Sequence, residues 1–116
     1  MELVALLSND KESWGQIAGL IKHGEWDTIT IVGGELSRNF SSEKKFDLVR
    51  VDLGKKIRDL TEEISKKLKG KIKDTEVALS IASGDGKEHM ALISALINLP
   101  VGIRFVALTK EGVVNL

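Results

Sequence analysis

The sequence contains no cysteine, a single proline, and no apolar run approaching the ~20 residues that a membrane-spanning helix needs. Without cysteine there can be no disulfide, no thiolate nucleophile and no Cys-ligated zinc or iron–sulfur site. Lys and Arg balance Asp and Glu at 17 each, so the chain has no overall field that attracts DNA, RNA or an acidic membrane. Any site for an anion must therefore be local.

What remains is the composition of one ordinary folded domain. The chain has 116 residues, of which 42% are hydrophobic and 29% are charged, and this predicts a single core that spans residues 1–116. The first residues turn polar after seven positions and lack a basic stretch, so we interpret them as a strand rather than as a signal peptide. We expect a cytoplasmic protein.

Short apolar runs alternate with segments of helical periodicity. Strands are predicted at 3–7, 28–32, 47–53, 77–82 and 103–108, and helices at 10–23, 54–69 and 86–98. The tail 111–116 can pair back as a short sixth strand, and the long polar connection 35–46 has room for a helical turn. With right-handed crossovers this is an α/β chain, a Rossmann-like three-layer sandwich whose mostly parallel sheet has the order 3-2-1-4-5 and a C-terminal hairpin strand.

Two polar turns are predicted to meet at one crevice of this sheet. The first strand ends at Ser8-Asn9-Asp10, and the fourth ends at Ser83-Gly84-Asp85-Gly86-Lys87. Ligands of such sheets bind beyond the carboxyl ends of the strands, where the strand order reverses between strands one and four. The second turn opens a helix, so its amides, the Ser83 hydroxyl and the Lys87 ammonium form a candidate phosphate site.

Each turn also has a structural interpretation. In the turn 83–87 the glycines would merely permit unusual φ angles while Asp85 caps the helix, and a carboxylate there opposes the binding of phosphate. Ser8, Asn9 and Asp10 would act as N-caps more often than as contacts to a ribose or a base. The spacing matches neither a G-x-G-x-x-G fingerprint nor a P-loop.

The helix predicted at 86–98 leaves little polar face, since Ser94 and Asn98 are its only polar breaks after the first turn. A helix that is apolar all round must be buried all round. We therefore expect its outer side to pack against a second copy of the chain in a homodimer. The alternative is that the C-terminal hairpin or the long loop covers it.

Other candidate residues are isolated along the sequence. His23 and His89 have no carboxylate at a helical metal spacing, so no metal site is predicted, although His89 could donate a proton or contact a phosphate. Arg38, Lys44 and Lys45 in the long loop could close over an anion or could simply be solvated. No nucleophile elbow, no His-Glu-x-x-His and no paired-carboxylate motif is present, so no hydrolase machinery is visible.

The run from Val77 to Leu108, VALSIASGDGKEHMALISALINLPVGIRFVAL, resembles the second conserved region of the CRISPR-associated Rossmann-fold domain, the CARF domain. In that family a strand leads into a Ser/Thr-Gly-Gly-x-Lys-type turn and an apolar helix. The order of the other elements is similar as well. The resemblance covers most of the chain in layout and residues 83–99 in detail.

The resemblance implies a stand-alone sensor domain that binds a cyclic oligoadenylate across the two-fold axis of a homodimer, without a cofactor, a nucleic-acid duplex or a membrane. Some members cleave the ring through a ribose 2′-hydroxyl, and Lys87 would then be the catalytic residue that stabilises the transition state. A third hypothesis is a structural module without a ligand. The ligand-binding residues implied are Ser8, Asn9, Asp10, Ser83, Gly84, Asp85, Gly86 and Lys87, with Asp85 at a place where the family usually has glycine.

Overall fold

Strands and helices alternate along the chain, as the apolar runs predict. The computed structural model describes residues 1–116. Its strands are β1 (Glu2–Leu7), β2 (Thr28–Gly33), β3 (Asp47–Arg50), β4 (Glu76–Ser80), β5 (Gly102–Thr109) and β6 (Gly112–Asn115). Its α-helices are α1 (Trp14–His23), α2 (Ile57–Leu68) and α3 (Gly86–Asn98), and two 3-10 helices span Lys11–Ser13 and Glu35–Asn39.

The six strands form one sheet of order β3-β2-β1-β4-β5-β6. All pairs are parallel except β5 and β6, which form an antiparallel hairpin. This confirms the predicted α/β sandwich, its strand order and its C-terminal hairpin strand. The strand β1 lies between β2 and β4 and is buried along its whole length, which explains why residues 3–7 read as a continuous apolar run.

The helices cover the sheet on both faces, because alternate side chains of a strand point to opposite sides. Val4 and Leu6 of β1 belong to a core cluster with α2 and α3, whereas Leu3 and Ala5 belong to a second cluster with α1. Three layers result. The carboxyl ends of the parallel strands all reach one rim of the sheet, and the loops at this rim form the candidate site.

Four predicted boundaries are wrong by two or more residues, one of them the end of β3, which lies at Arg50 rather than at Leu53. The second helix begins at Ile57 rather than at Gly54, because the Gly54 N–H bonds to the Asp52 carboxylate at 2.9 Å and Lys56 is extended. Ile57 is 39% exposed, so the buried face of this helix consists of Leu60, Ile64 and Leu68. The first α-helix begins at Trp14 after a 3-10 turn, and β4 ends at Ser80.

The apolar helix α3 keeps part of its outer side in solvent. Met90 is 59% exposed and Ile97 is 58% exposed, so neither the C-terminal hairpin nor the long loop covers these side chains. The long loop instead folds into the 3-10 helix Glu35–Asn39. None of the helices combines the length and the apolar content that crossing a membrane requires.

Candidate functional site

The turns that follow β1 and β4 are joined by hydrogen bonds between serines. The Ser8 N–H donates to the Ser83 hydroxyl at 2.9 Å, and the two hydroxyl oxygens lie 3.1 Å apart. The hydroxyl of Ser13, at the end of the first 3-10 helix, lies 2.6 Å from that of Ser83. The prediction that the two turns converge at one crevice is thus confirmed for these residues.

The Ser83 hydroxyl is used by the fold. Its side chain has no exposed surface, and its oxygen already has three polar neighbours. A hydroxyl has one proton and two lone pairs, so little capacity is left for a ligand. Ser13 was not among the predicted site residues, and its position before the first apolar stripe gave no signal that it would reach across to β4.

Asn9 and Asp10 also make local contacts. The Asp10 carboxylate caps the first 3-10 helix by accepting the Glu12 N–H at 3.1 Å, which confirms its structural interpretation. The Asn9 side-chain oxygen accepts the Leu36 N–H at 3.2 Å and thereby holds the second 3-10 helix. Its side-chain amide N–H groups make no hydrogen bond, so they can still donate to a ligand.

The glycine turn requires a positive φ at Gly84 and contains the N-cap residue of α3, Asp85. Gly84 has a φ of +103°, and a Cβ added there would lie 2.4 Å from Leu6 Cδ2. Asp85 accepts the Glu88 N–H at 2.9 Å, while the Glu88 carboxylate accepts the Asp85 N–H at 3.1 Å. This reciprocal capping box confirms that Asp85 caps α3.

Some donors of the turn remain free. The backbone N–H groups of Gly84, Gly86 and Lys87 make no hydrogen bond, as expected for the first residues of a helix. They lie at the positive end of the α3 dipole. These amides are therefore the part of the predicted phosphate cradle that the fold leaves unused.

Lys87 holds the loop that connects β3 with α2. Its ammonium donates to the carbonyl oxygens of Leu53 and Lys55, both at 2.8 Å. Because an ammonium has three N–H donors, one proton remains for another acceptor. Lys87 is half-buried, so this remaining donor lies near the surface.

His89 and Glu88 complete the first turn of α3. The His89 Nε2 lies 2.9 Å from the Ser83 carbonyl oxygen, and since a carbonyl only accepts, Nε2 carries the proton. Burial raises the pKa of Glu88 above its ordinary value, opposed by the hydrogen bond from the Asp85 N–H. The capping carboxylate is therefore easier to protonate than a free glutamate.

A concave groove lies beside this crevice, between β3 and α2. This groove, which we call the β3–α2 groove, has a volume of about 800 Å³. Four cationic side chains line it: Arg38, Arg50, Lys67 and Lys71. Arg38 was one of the predicted loop cations, but Lys44 instead donates to the Gly24 carbonyl and Lys45 is exposed. Arg50, Lys67 and Lys71 were missed because they lie on separate segments.

Glu63 neutralises part of this groove. Partial burial raises its pKa, but hydrogen bonds from Lys67, from the Asp52 N–H and from Lys55 outweigh that effect and lower the pKa of Glu63 to about 2. The carboxylate lies 2.9 Å from the Lys67 ammonium and 3.2 Å from that of Lys55. Glu63 is thus ionised at any pH at which the protein would work.

No family model matches this chain, and no curated protein matches it. No group of three or more His, Asp or Glu side chains lies close enough together to hold a metal ion. The crevice offers three free backbone amides, one ammonium proton and a helix dipole, all of which favour an anion.

Proposed function

We propose that the protein is a CARF-like nucleotide-sensing module that binds a cyclic oligoadenylate-type ligand beyond the carboxyl ends of β1 and β4. The observation that carries this proposal is the set of unpaired N–H groups at Gly84, Gly86 and Lys87. They open an α-helix at the point where the strand order reverses, which is the usual ligand position in such sheets.

In this proposal one phosphate accepts hydrogen bonds from these amides and from the third proton of Lys87. The ammonium can do so without leaving the carbonyls of Leu53 and Lys55. The Asp85 carboxylate acts against binding, because like charges within a few ångströms repel each other. Its bond to the Glu88 N–H keeps it at the helix start, so its charge limits the affinity.

The second copy of the proposed homodimer would bind through the outer side of α3. The exposed Met90 and Ile97 flank the half-buried Ile93 on this helix. Phe105 of β5 packs against the core cluster that contains α3. The Leu116 N–H donates to the Phe105 carbonyl oxygen, and the Leu116 side chain is 81% exposed. The apolar surface of α3 therefore continues across β5 and β6. Met90 lies one turn from Lys87, and an isologous contact here brings the two glycine turns towards each other.

Calorimetric titration with cyclic tetra-adenylate and cyclic hexa-adenylate tests the ligand. We expect one of them to bind, and Lys87→Met to weaken binding about tenfold through the loss of a charge-assisted hydrogen bond. Asp85→Ser removes the charge but keeps a good N-cap, so it should tighten binding. Lys69→Met, at an exposed lysine beyond α2, serves as the control and should change nothing.

The same samples test the dimer and the cleavage hypothesis. Ile97→Glu should lower both the molecular mass in sedimentation and the affinity, whereas Ile57→Glu, at an exposed apolar residue of α2, should lower neither. Linear products formed without added metal would make the protein a ring-cleaving enzyme, with Lys87→Met inactive. The absence of heat and of a thermal shift with both ligands would refute the sensing function.

A further inference from the structure

The β3–α2 groove has the dimensions of a small-molecule site. Its volume of about 800 Å³ lies within the ~300–1,000 Å³ that is typical of ligand pockets. Four apolar residues of the segment 48–53 line it together with the polar Asn9. It is separate from the crevice of the proposed function, because Lys87 holds the loop 53–55 but does not itself line the groove.

Some of the charged side chains in this groove are paired with other groups of the protein, and others are not. Of its carboxylates, Glu63 pairs with Lys55 and Lys67, and Asp52 accepts the Gly54 N–H at 2.9 Å. The side chains of its other three cations, Arg38, Arg50 and Lys71, make no hydrogen bond and no ion pair. Glu35 and Asp52 oppose them, and the complete lining of four cations and three carboxylates has a net charge of +1. The chain as a whole is neutral.

An added peptide strand is a poor occupant of this groove, although β3 is an edge strand of the sheet. The Lys67 ammonium donates to the Arg50 carbonyl at 2.6 Å, and Glu63 accepts the Asp52 N–H at 3.1 Å. Both backbone groups point away from β2, since it is the Val51 N–H that bonds to β2. Two of the groups that an incoming strand would use are therefore already bonded to α2.

We infer that the β3–α2 groove binds a small molecule in which two or more phosphate groups are attached to an apolar or aromatic ring, a nucleoside diphosphate being the simplest example. Arg38 and Arg50 provide planar forks that match phosphate oxygens, and Lys71 adds a point charge. The half-buried Leu48 offers an apolar contact for the ring, whereas Val49, Val51 and Leu53 are buried in the core. The Asn9 amide offers an unused donor.

Titration of the ¹⁵N-labelled full chain with ADP tests this inference. We expect amide shifts at residues 35–39 and 48–54, at Asn9 and near Lys71, together with saturable binding by calorimetry and weaker binding at high salt. Pyrophosphate should bind more weakly than ADP, and adenosine more weakly still. Arg50→Glu should weaken ADP binding at least tenfold, since it replaces one charge-assisted contact by a repulsion.

Arg58→Glu is the matched control, because Arg58 is exposed on α2, lies outside the groove and carries the same charge. Arg38→Glu repeats the test on another segment in case Arg50→Glu does not fold. The inference is overturned if millimolar ADP and pyrophosphate cause no shifts, if the shifts lie at 83–87 alone, or if Arg58→Glu weakens binding as much as Arg50→Glu. The Lys87 variant reports on the other site, so the two proposals fail independently.

Discussion

The glycine turn after β4 and the β3–α2 groove lie along the same rim of the sheet but use their polar side chains in opposite ways. In the turn, the Ser83 hydroxyl has three polar neighbours, Asp85 caps a helix, and Lys87 bonds to two carbonyls. In the groove, Arg38 and Arg50 have no partner for their side chains.

The polar side chains of the turn stabilise the fold, whereas the unpaired cations of the groove are available to bind a ligand. The side chains of the turn join β1 to β4 and the helix α3 to the loop before α2, so their loss should reduce stability. Of the groove cations, Lys67 bonds to Glu63 and to the Arg50 carbonyl, but Arg38, Arg50 and Lys71 hold nothing in place, so the loss of any of these three should reduce only the affinity for an anion. In the turn, backbone amides are the groups left for a ligand.

Gly84→Ala should produce the largest loss of stability. The positive φ disfavours any side chain, and the new Cβ would lie 2.4 Å from Leu6 Cδ2 in the core, so we expect a destabilisation of about 3 kcal/mol in urea unfolding. Gly86→Ala is the control, because nothing lies within 4 Å of its added Cβ and its φ is not positive. Equal stability of the two variants would show that the turn tolerates another conformation.

Protonation of Glu63, which lines the groove, should cost less stability than Gly84→Ala. Its pKa falls from 4.5 to about 2 in the folded state, so its contribution is fully present above pH 4.5 and is lost as the pH falls towards 2. Solvent screening limits the loss to about 1 kcal/mol. Urea unfolding between pH 5 and pH 2 measures it, and Glu63→Gln should remove this part of the pH dependence. An unchanged pH profile in Glu63→Gln would contradict the pairing with Lys55 and Lys67.

The strand order was predictable because it follows from the alternation of strands and helices and from the handedness of crossovers. The start of α2 was not, because Gly54 looks like a helix opener until the Asp52 carboxylate is seen to bind its N–H. The buried face of the helix begins only at Leu60, because Ile57 is 39% exposed.

The meeting of the turns after β1 and β4 was predictable, and so were the capping roles of Asp10 and Asp85, but the roles of Ser83 and Lys87 were not. Ser83 and Lys87 have the right chemistry for phosphate, yet their partners Ser13 and Leu53 lie far away in the sequence. The groove was missed for the same reason, since its cations come from three separate segments, around residues 38, 50 and 67–71. Only tertiary contacts decide whether a polar group is used by the fold or is free for a ligand.

Hydrogen exchange at the Ser8 amide tests most directly whether the side chains of the glycine turn hold the ends of β1 and β4 together. This N–H donates to the buried Ser83 hydroxyl at 2.9 Å, so it should exchange as slowly as the amides of β1. Ser83→Ala should leave it without a partner, speed its exchange at least tenfold relative to those amides and cost about 2 kcal/mol of stability. Ser41→Ala, at an exposed serine without hydrogen bonds, should have no effect. Fast exchange at Ser8 in the unaltered protein, with full stability in Ser83→Ala, would contradict the account.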